Sequence, residues 1–158
     1  MKYPLIISAC LIFQVACNEP AKTTSGDLMT DTVSVQRKTK PSKNIMLTEY
    51  RWKLTELSGK VVGDSVNGQE PSITFSAADS SIGGRVGCNR FGGKYFADDL
   101  TIKFFQVFST KMACQDMWVE NTLLGMMDSL DRYSVSEKEL VLAQGLKKVA
   151  VFEAMPLK

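Results

Sequence analysis

From residue 50 to residue 152 the chain is broken into short segments in which large apolar and polar residues alternate, with turn residues between them at near-regular intervals. Period-2 alternation buries one face of a strand and wets the other, so this stretch must fold as a sheet. Residues 50–57 alternate in this way and stop at Ser58-Gly59; residues 72–76 send Ile73 and Phe75 to one side; residues 82–86 follow. Residues 91–97 and 100–104 flank Asp98-Asp99, a tight turn. Residues 132–135, 139–143 and 148–152 complete the series, with Glu137-Lys138 and Gln144-Gly145 at the turns. Short strands at such spacing predict an antiparallel barrel or sandwich rather than βαβ units. One segment departs from this rhythm. Residues 116–131 place Val119, Leu123, Met126, Met127 and Leu130 at helical spacing. Gln115 or Asp116 can cap that helix, and Asp116 and Glu120 lie near the positive end of its dipole. Its Met- and Leu-rich stripe reads as a cover for the sheet, not as a cofactor site.

The amino-terminal region is of another kind. Met1-Lys2-Tyr3 is a short, singly charged start, and residues 5–16 are almost wholly apolar. That run is too short for a stable membrane span and reads as a secretory signal, with small Ala16 before Cys17 at the cleavage point. A cysteine there predicts a lipoprotein: its thiol takes a diacylglycerol, the new amino terminus a further chain, and several chains together anchor stably. Gln14 stands where such signals carry Leu or another aliphatic residue. The alternative is an ordinary secretory signal with Cys17 as a spare thiol.

Removing residues 1–16 lowers the formal charge from +2 to +1 and leaves a length suited to one domain. No strong field then points to nucleic acid or an acidic substrate. Residues 18–44 are rich in Thr, Ser, Lys, Asp and Pro and contain no aromatic residue. Too little apolar surface is on offer to offset backbone entropy, so this stretch is expected to be a flexible tether of roughly 30 Å. Its basic cluster Arg37, Lys38, Lys40 and Lys43 reads as solvated linker, with contact to anionic lipid as the alternative. The expected organisation is a signal over 1–16, lipidated Cys17 and linker over 17–46, and a folded domain over 47–158.

After processing, Cys88 and Cys114 remain as a pair, and an exported protein commonly oxidises such a pair. The competing reading is a reactive thiol or metal ligand, which needs a base or partner ligands; the chain has no histidine, and two isolated cysteines make no zinc site. No metal and no cofactor are expected. The glycine-rich run 83–95 has strand-like residues on both sides, whereas a phosphate loop opens a helix. Its glycines fit turns and close backbone approach, and Asn89 can hold a turn by bonding nearby backbone.

Gly87-Cys88-Asn89 with Gly93 and Tyr95, then Ser109-Thr110-Lys111-Met112-Ala113-Cys114 and Glu120, resemble the signature of the META domain (HslJ-like) family. Trp52, Leu54, Leu57 and Gly59 at the start, and Leu140-Val141-Leu142 with residues 149–152 at the end, resemble its first and last strands. The resemblance spans roughly residues 47–154. It implies a small, partly open antiparallel β-barrel with one packed helix, a mainly β (α+β) fold. It also implies an envelope or secreted setting and a loose link to stress tolerance, without an established reaction.

Three functions follow as expectations. The first is a non-catalytic binding or scaffolding module, lipid-anchored in the cell envelope, with envelope proteins as partners. Its watched patch is Arg85, Asn89, Arg90, Phe91, Lys94 and Tyr95 on the hairpin, with Lys111 and Trp118 near the cysteines. The aromatic members equally suit a core and the cations a solvated surface. The second is a carrier of an apolar ligand, or a pilot for an outer-membrane complex, with Phe104, Phe105, Val107 and Phe108 as lining. Small barrels are normally packed solid, which weighs against it. The third is a hydrolase built on Glu120 with Lys111, or on Asp98-Asp99, but no nucleophile with a base partner is visible.

Overall fold

The computed structural model describes residues 43–157. The residues expected to form the signal over 1–16, the expected lipidation site Cys17 and the expected tether up to residue 42 lie outside them. The domain opens with a short helix, α1 (Lys43–Glu49), and continues through β1 (Tyr50–Leu57), β2 (Lys60–Val61), β3 (Ser72–Ser76), β4 (Ser81–Arg85), β5 (Arg90–Ala97) and β6 (Ile102–Ser109). A second helix, α2 (Trp118–Met126), runs into a 3-10 turn over Met127–Ser129, before β7 (Arg132–Val135), β8 (Glu139–Gln144) and β9 (Lys147–Pro156). The strands form one antiparallel sheet ordered β6-β5-β4-β3-β1-β9-β8-β7, with β2 added on β1.

Closure is partial. The edge strands β6 and β7 meet only at one end, where Thr101 bridges Arg132, the Ile102 amide donates to the Asp131 carbonyl at 3.1 Å, and the Tyr133 amide reaches the Leu100 carbonyl at 3.4 Å. Beyond that point the edges separate, and α2 with its 3-10 turn packs into the gap through Val119, Leu123, Met127 and Leu130. The fold is therefore the mainly β, partly open barrel with a packed helix that the resemblance implies, and the barrel of the two architectures, barrel or sandwich, that the alternating segments predict.

Several local features correct the simple alternation. In β1, Leu54 pairs with Phe152 and Glu56 with Val151, so Thr55 is an extra residue. This bulge shifts the phase and brings Leu57 to the inside with Trp52 and Leu54. In β6, Phe108 pairs with Gly92 and Phe105 with Lys94, which leaves Gln106 and Val107 opposite Gly93 alone. Gln106 adopts a positive φ of 53° there. The bulge explains how β6 continues to Ser109, five residues past the expected end at 104. It starts late, at Ile102, because the Asp98 carboxylate accepts the amides of Leu100 (2.9 Å) and Thr101 (2.7 Å) and holds both in the turn. The α2 helix is also shorter than the 116–131 periodicity suggests, since its last turn tightens to 3-10 geometry.

α1 has no counterpart in the sequence reading and reaches back into the stretch read as linker over 17–46. Met46 and Leu47 are buried, and Trp52, itself fully buried on β1, donates its indole N–H to the Leu47 carbonyl at 2.9 Å. Burying a side chain of that size contributes about 2–3 kcal/mol, provided the indole N–H finds a partner.

At the closure, Tyr133 donates its hydroxyl to the Asp98 carbonyl at 2.6 Å. Burial, and secondarily the charges of Asp99 and Asp98, push its phenol up to about 12 from 10.0. The folded state thus favours the neutral phenol, so this stabilisation is complete below about pH 10 and disappears as pH rises through about 12. Tyr133→Phe should lower unfolding free energy by about 1 kcal/mol at neutral pH and lose less stability than wild type between pH 10 and 12. Urea midpoints across that range measure both; identical curves for the two proteins would mean the clasp does not hold the barrel closed.

Candidate functional site

The connection from β6 to α2, residues 110–117, has no regular structure and is held by side chains. Gly87 takes a φ of +137°, a conformation side chains disfavour, and turns the chain between β4 and β5. Cys88 follows and is bonded to Cys114, with 6.2 Å between their Cα atoms. Next comes Asn89, 1% exposed. Its side-chain amide donates to both carboxylate oxygens of Glu120 at 2.8 and 3.0 Å and to the Met112 carbonyl at 2.9 Å, while its backbone amide reaches Glu120 Oε2 at 3.2 Å. Asn89 Oδ1 accepts from the Thr110 hydroxyl at 2.6 Å and the Met112 amide at 2.8 Å. Glu120 lies in the first turn of α2 and is 5% exposed.

One asparagine thus joins three elements: the β4–β5 turn, the irregular connection and the helix. A buried carboxylate is tolerated only with donors of this kind. The start of α2 is fixed from the other side. The Asp116 carboxylate accepts the Trp118 amide at 2.9 Å, and Asn67, in the β2–β3 connection, bonds both the amide and carbonyl of Asp116.

Beside the clamp, a groove of about 710 Å³ runs between β6 and α2, lined by Val107, Lys111, Glu120, Leu124 and Asp128 among others. Both oxygens of Glu120 are bonded to Asn89, so the carboxylate in the groove wall is already engaged in holding the clamp. Among the described residues, no group of three or more His, Cys, Asp or Glu side chains is placed to hold a metal.

The eight residues singled out as a patch divide in three. Asn89 is inside the clamp, and Phe91 and Tyr95 are in the core, Tyr95 packing edge-on against Phe75 at 5.0 Å. Trp118 is half-buried with the Lys60 ammonium 5.2 Å from its ring centre. Arg90 and Lys111 are exposed, and Arg85 and Lys94 are half-buried, Arg85 directly opposite Arg90 across β4 and β5. Gly93, on β5, lies opposite the β6 bulge, where a Cβ would come within 3.2 Å of Val107. Of the four residues read as carrier lining, only Phe104 is fully inside. Val107 is half-buried, and Phe105 and Phe108 point outward, 44% and 70% exposed.

The outer face of β5 and β6 is what sequence reasoning missed. Lys94 lies opposite Phe105, Phe96 opposite Lys103, and Gly92 opposite Phe108. The adjacency Phe104-Phe105 carried the signal, since neighbours on a strand point to opposite faces. At the margin of this face, Asp79 accepts hydrogen bonds from Ser81 (2.7 Å), Ser76 (2.8 Å) and Lys94 (3.2 Å). These lower its carboxyl from 3.8 to about 2.

Replacing Cys88 and Cys114 together by Ser should reduce unfolding free energy by about 3.5 kcal/mol in the chain-entropy account. Asn89→Ala leaves Glu120 only the backbone amide of residue 89 and should cost about 2–3 kcal/mol, whereas Lys111→Ala on the surface should cost under about 0.5 kcal/mol. Denaturant titrations rank the three, and an unaltered midpoint for Asn89→Ala would remove the clamp from this account. A separate expectation concerns acid. The Asp79 value is depressed on folding, so its contribution is present above about pH 4 and lost as pH falls through about 2. Melting temperature against pH should therefore be flatter in Asp79→Asn across that window; a slope equal to wild type would refute it.

A family model described as META domain matches residues 45–156. No curated protein matches the chain. Among solved structures, one NMR structure is 23% identical, with 69% of this chain and 92% of that chain covered and a TM-score of 0.56. An NMR structure of a protein from Burkholderia xenovorans is 21% identical over 86% and 98% of the two chains, with a TM-score of 0.59. A crystal structure of a DUF4847 family protein from Bacteroides vulgatus is 18% identical over 73% and 99%, with a TM-score of 0.49. At these identities the first two bear on fold alone. With its clamp residues, its near-closed sheet and a match across the whole folded part, the chain belongs to the META domain family.

Proposed function

We propose that this chain is a non-catalytic binding module of the cell envelope, held at a membrane by lipid on Cys17. The observation that carries the reading is the engagement of the motif's polar groups with one another. Asn89 and Glu120 satisfy each other inside the protein, and Cys88 and Cys114 are joined. The most reactive side-chain types of the motif are thus committed to holding three elements together, and the surface is left to meet a partner.

Support for the envelope setting comes from the sequence: an apolar run over residues 5–16 ending at Ala16-Cys17, then a polar tether rich in Thr, Ser and Lys. The disulfide agrees with an oxidising compartment. The proposed role is scaffolding in envelope integrity or stress tolerance, with neighbouring envelope proteins as candidate partners and no nucleic acid. An apolar-ligand carrier or pilot protein would need a lumen, yet Trp52, Phe75, Phe104, Leu142 and Phe152 are among the side chains filling the interior. A hydrolase based on Glu120 would need that carboxylate exposed to substrate, and it is 5% exposed with both oxygens bonded to Asn89.

Intact-mass measurement of protein purified from membranes tests the reading. A chain starting at Cys17, carrying acyl mass and lighter by two hydrogens than the dithiol form, is expected, together with protein cross-links in intact envelope. Full-length, unmodified protein in the cytosol with both thiols titratable would sink it.

A further inference from the structure

We propose that the outer face of β5 and β6 lies against an anionic lipid surface, so that the domain rests on the bilayer instead of standing off on its tether. The inference deepens the envelope reading above and rests on it for the choice of lipid as occupant. On an antiparallel pair, directly opposed residues share a face. The register therefore builds a checkerboard of cation and ring: Lys94 beside Phe105, and Phe96 beside Lys103. Phe108 extends it, its ring lying over Gly92, where a Cβ would come within 2.7 Å of the ring edge. Arg90 continues the same outward row of β5, and the row from Arg90 to Phe96 is about 20 Å long.

Two features of this face need explaining together. Phe96, Phe105 and Phe108 are 59%, 44% and 70% exposed, a concentration of bare aromatic surface of the sort that marks an interaction site. The cations among them are largely unneutralised: within the described residues, Asp79 bonds Lys94, and no ion pair is recorded for Arg90 or Lys103. Asp98, at the end of β5, turns its carboxylate back onto Leu100 and Thr101. A protein partner with an acidic rim would satisfy the charges and an apolar one the rings. A lipid surface of negative charge does both at one depth, with phosphate for the cations and the headgroup–acyl boundary for the phenyl rings. Each basic side chain near such a surface adds about 1 kcal/mol. Single-stranded nucleic acid would use the same two chemistries, but a chain with residues 1–17 of this kind is directed to where lipid is the abundant polyanion.

The test uses the chain from residue 17 onward with Cys17→Ser, which carries no lipid. Co-sedimentation is measured with phosphatidylcholine vesicles and with vesicles in which about one third is phosphatidylglycerol. Partition into the anionic vesicles is expected, weakening as salt rises. It should drop at least about tenfold in Arg90→Glu/Lys103→Glu and markedly in Phe105→Ser, each variant keeping the wild-type melting curve. Phe108 is left intact because its ring covers Gly92.

Equal partition into neutral vesicles, or none into anionic ones, overturns the proposal. Binding that survives both variants also overturns it, since that would belong to the tether cations Arg37, Lys38, Lys40 and Lys43. So does salt-sensitive binding of a single-stranded oligonucleotide with no uptake by vesicles. A protein acylated at Cys17 that fails here keeps the binding-module reading and loses the docked face. One that passes here but is unmodified in the cytosol retains a lipid-binding face and loses the envelope role.

Discussion

A buried carboxylate needs donors, and the asparagine that supplies them at Glu120 organises the least regular part of this domain. Glu120 has left bulk water for a site where an unbonded charge would cost several kcal/mol. Asn89 answers with its side-chain amide and its backbone N–H, and its own carbonyl oxygen is held by Thr110 and Met112. Asn89 in the β4–β5 turn, Thr110 and Met112 in the irregular connection, and Glu120 in the helix belong to three separate elements, so none can move alone. The Cys88–Cys114 bond adds a covalent tie next to the same point, limiting the unfolded chain as the hydrogen bonds limit the folded one.

That clamp matters because the barrel is not closed by its strands alone. β6 and β7 touch at Thr101 and Arg132 and then part. Something must cover the gap, or the inner faces of Phe104, Tyr133 and Leu142 would meet water. The α2 helix does so with Val119 and Leu123 and its 3-10 turn with Met127, and their position depends on the connection that Asn89 and the disulfide hold. The Tyr133 hydroxyl on the Asp98 carbonyl secures the other end, where the sheet comes nearest to closing. Polar contacts here set the geometry, while apolar burial supplies most of the free energy.

With the motif's polar groups turned inward, the surface carries what specificity the domain has. The Gly93 bulge matters to that surface as much as to the fold. By placing Gln106 and Val107 opposite one residue, it sends Val107 toward the interior and Phe108 out over Gly92. Without the extra residue, Phe105 and Phe108 would point to opposite faces. One irregularity in one strand thus makes a contiguous aromatic and basic face.

Much of the fold was legible in the residues themselves. Alternation located β1, β3 and β7 to the residue and the other long strands to within a few, because a half-buried strand must repeat every second residue whatever its neighbours are. The helical stripe from Val119 to Leu130 was equally plain, and the pair Cys88 and Cys114 was the expected disulfide. The patch was less legible: Asn89, Phe91 and Tyr95 went inside, and Lys103, Phe96, Phe105 and Phe108 came to the surface unannounced. α1 was hidden in a polar context, since its burial depends on Trp52, a residue of the next element. Sequence periodicity alone determined where most long strands and the second helix lie and, between bulges, which side of each is apolar. Register, bulge position, barrel closure and the partners of Asn89 were decided only by tertiary structure, because each depends on a residue distant in the chain, and local pattern carries no record of what will lie opposite.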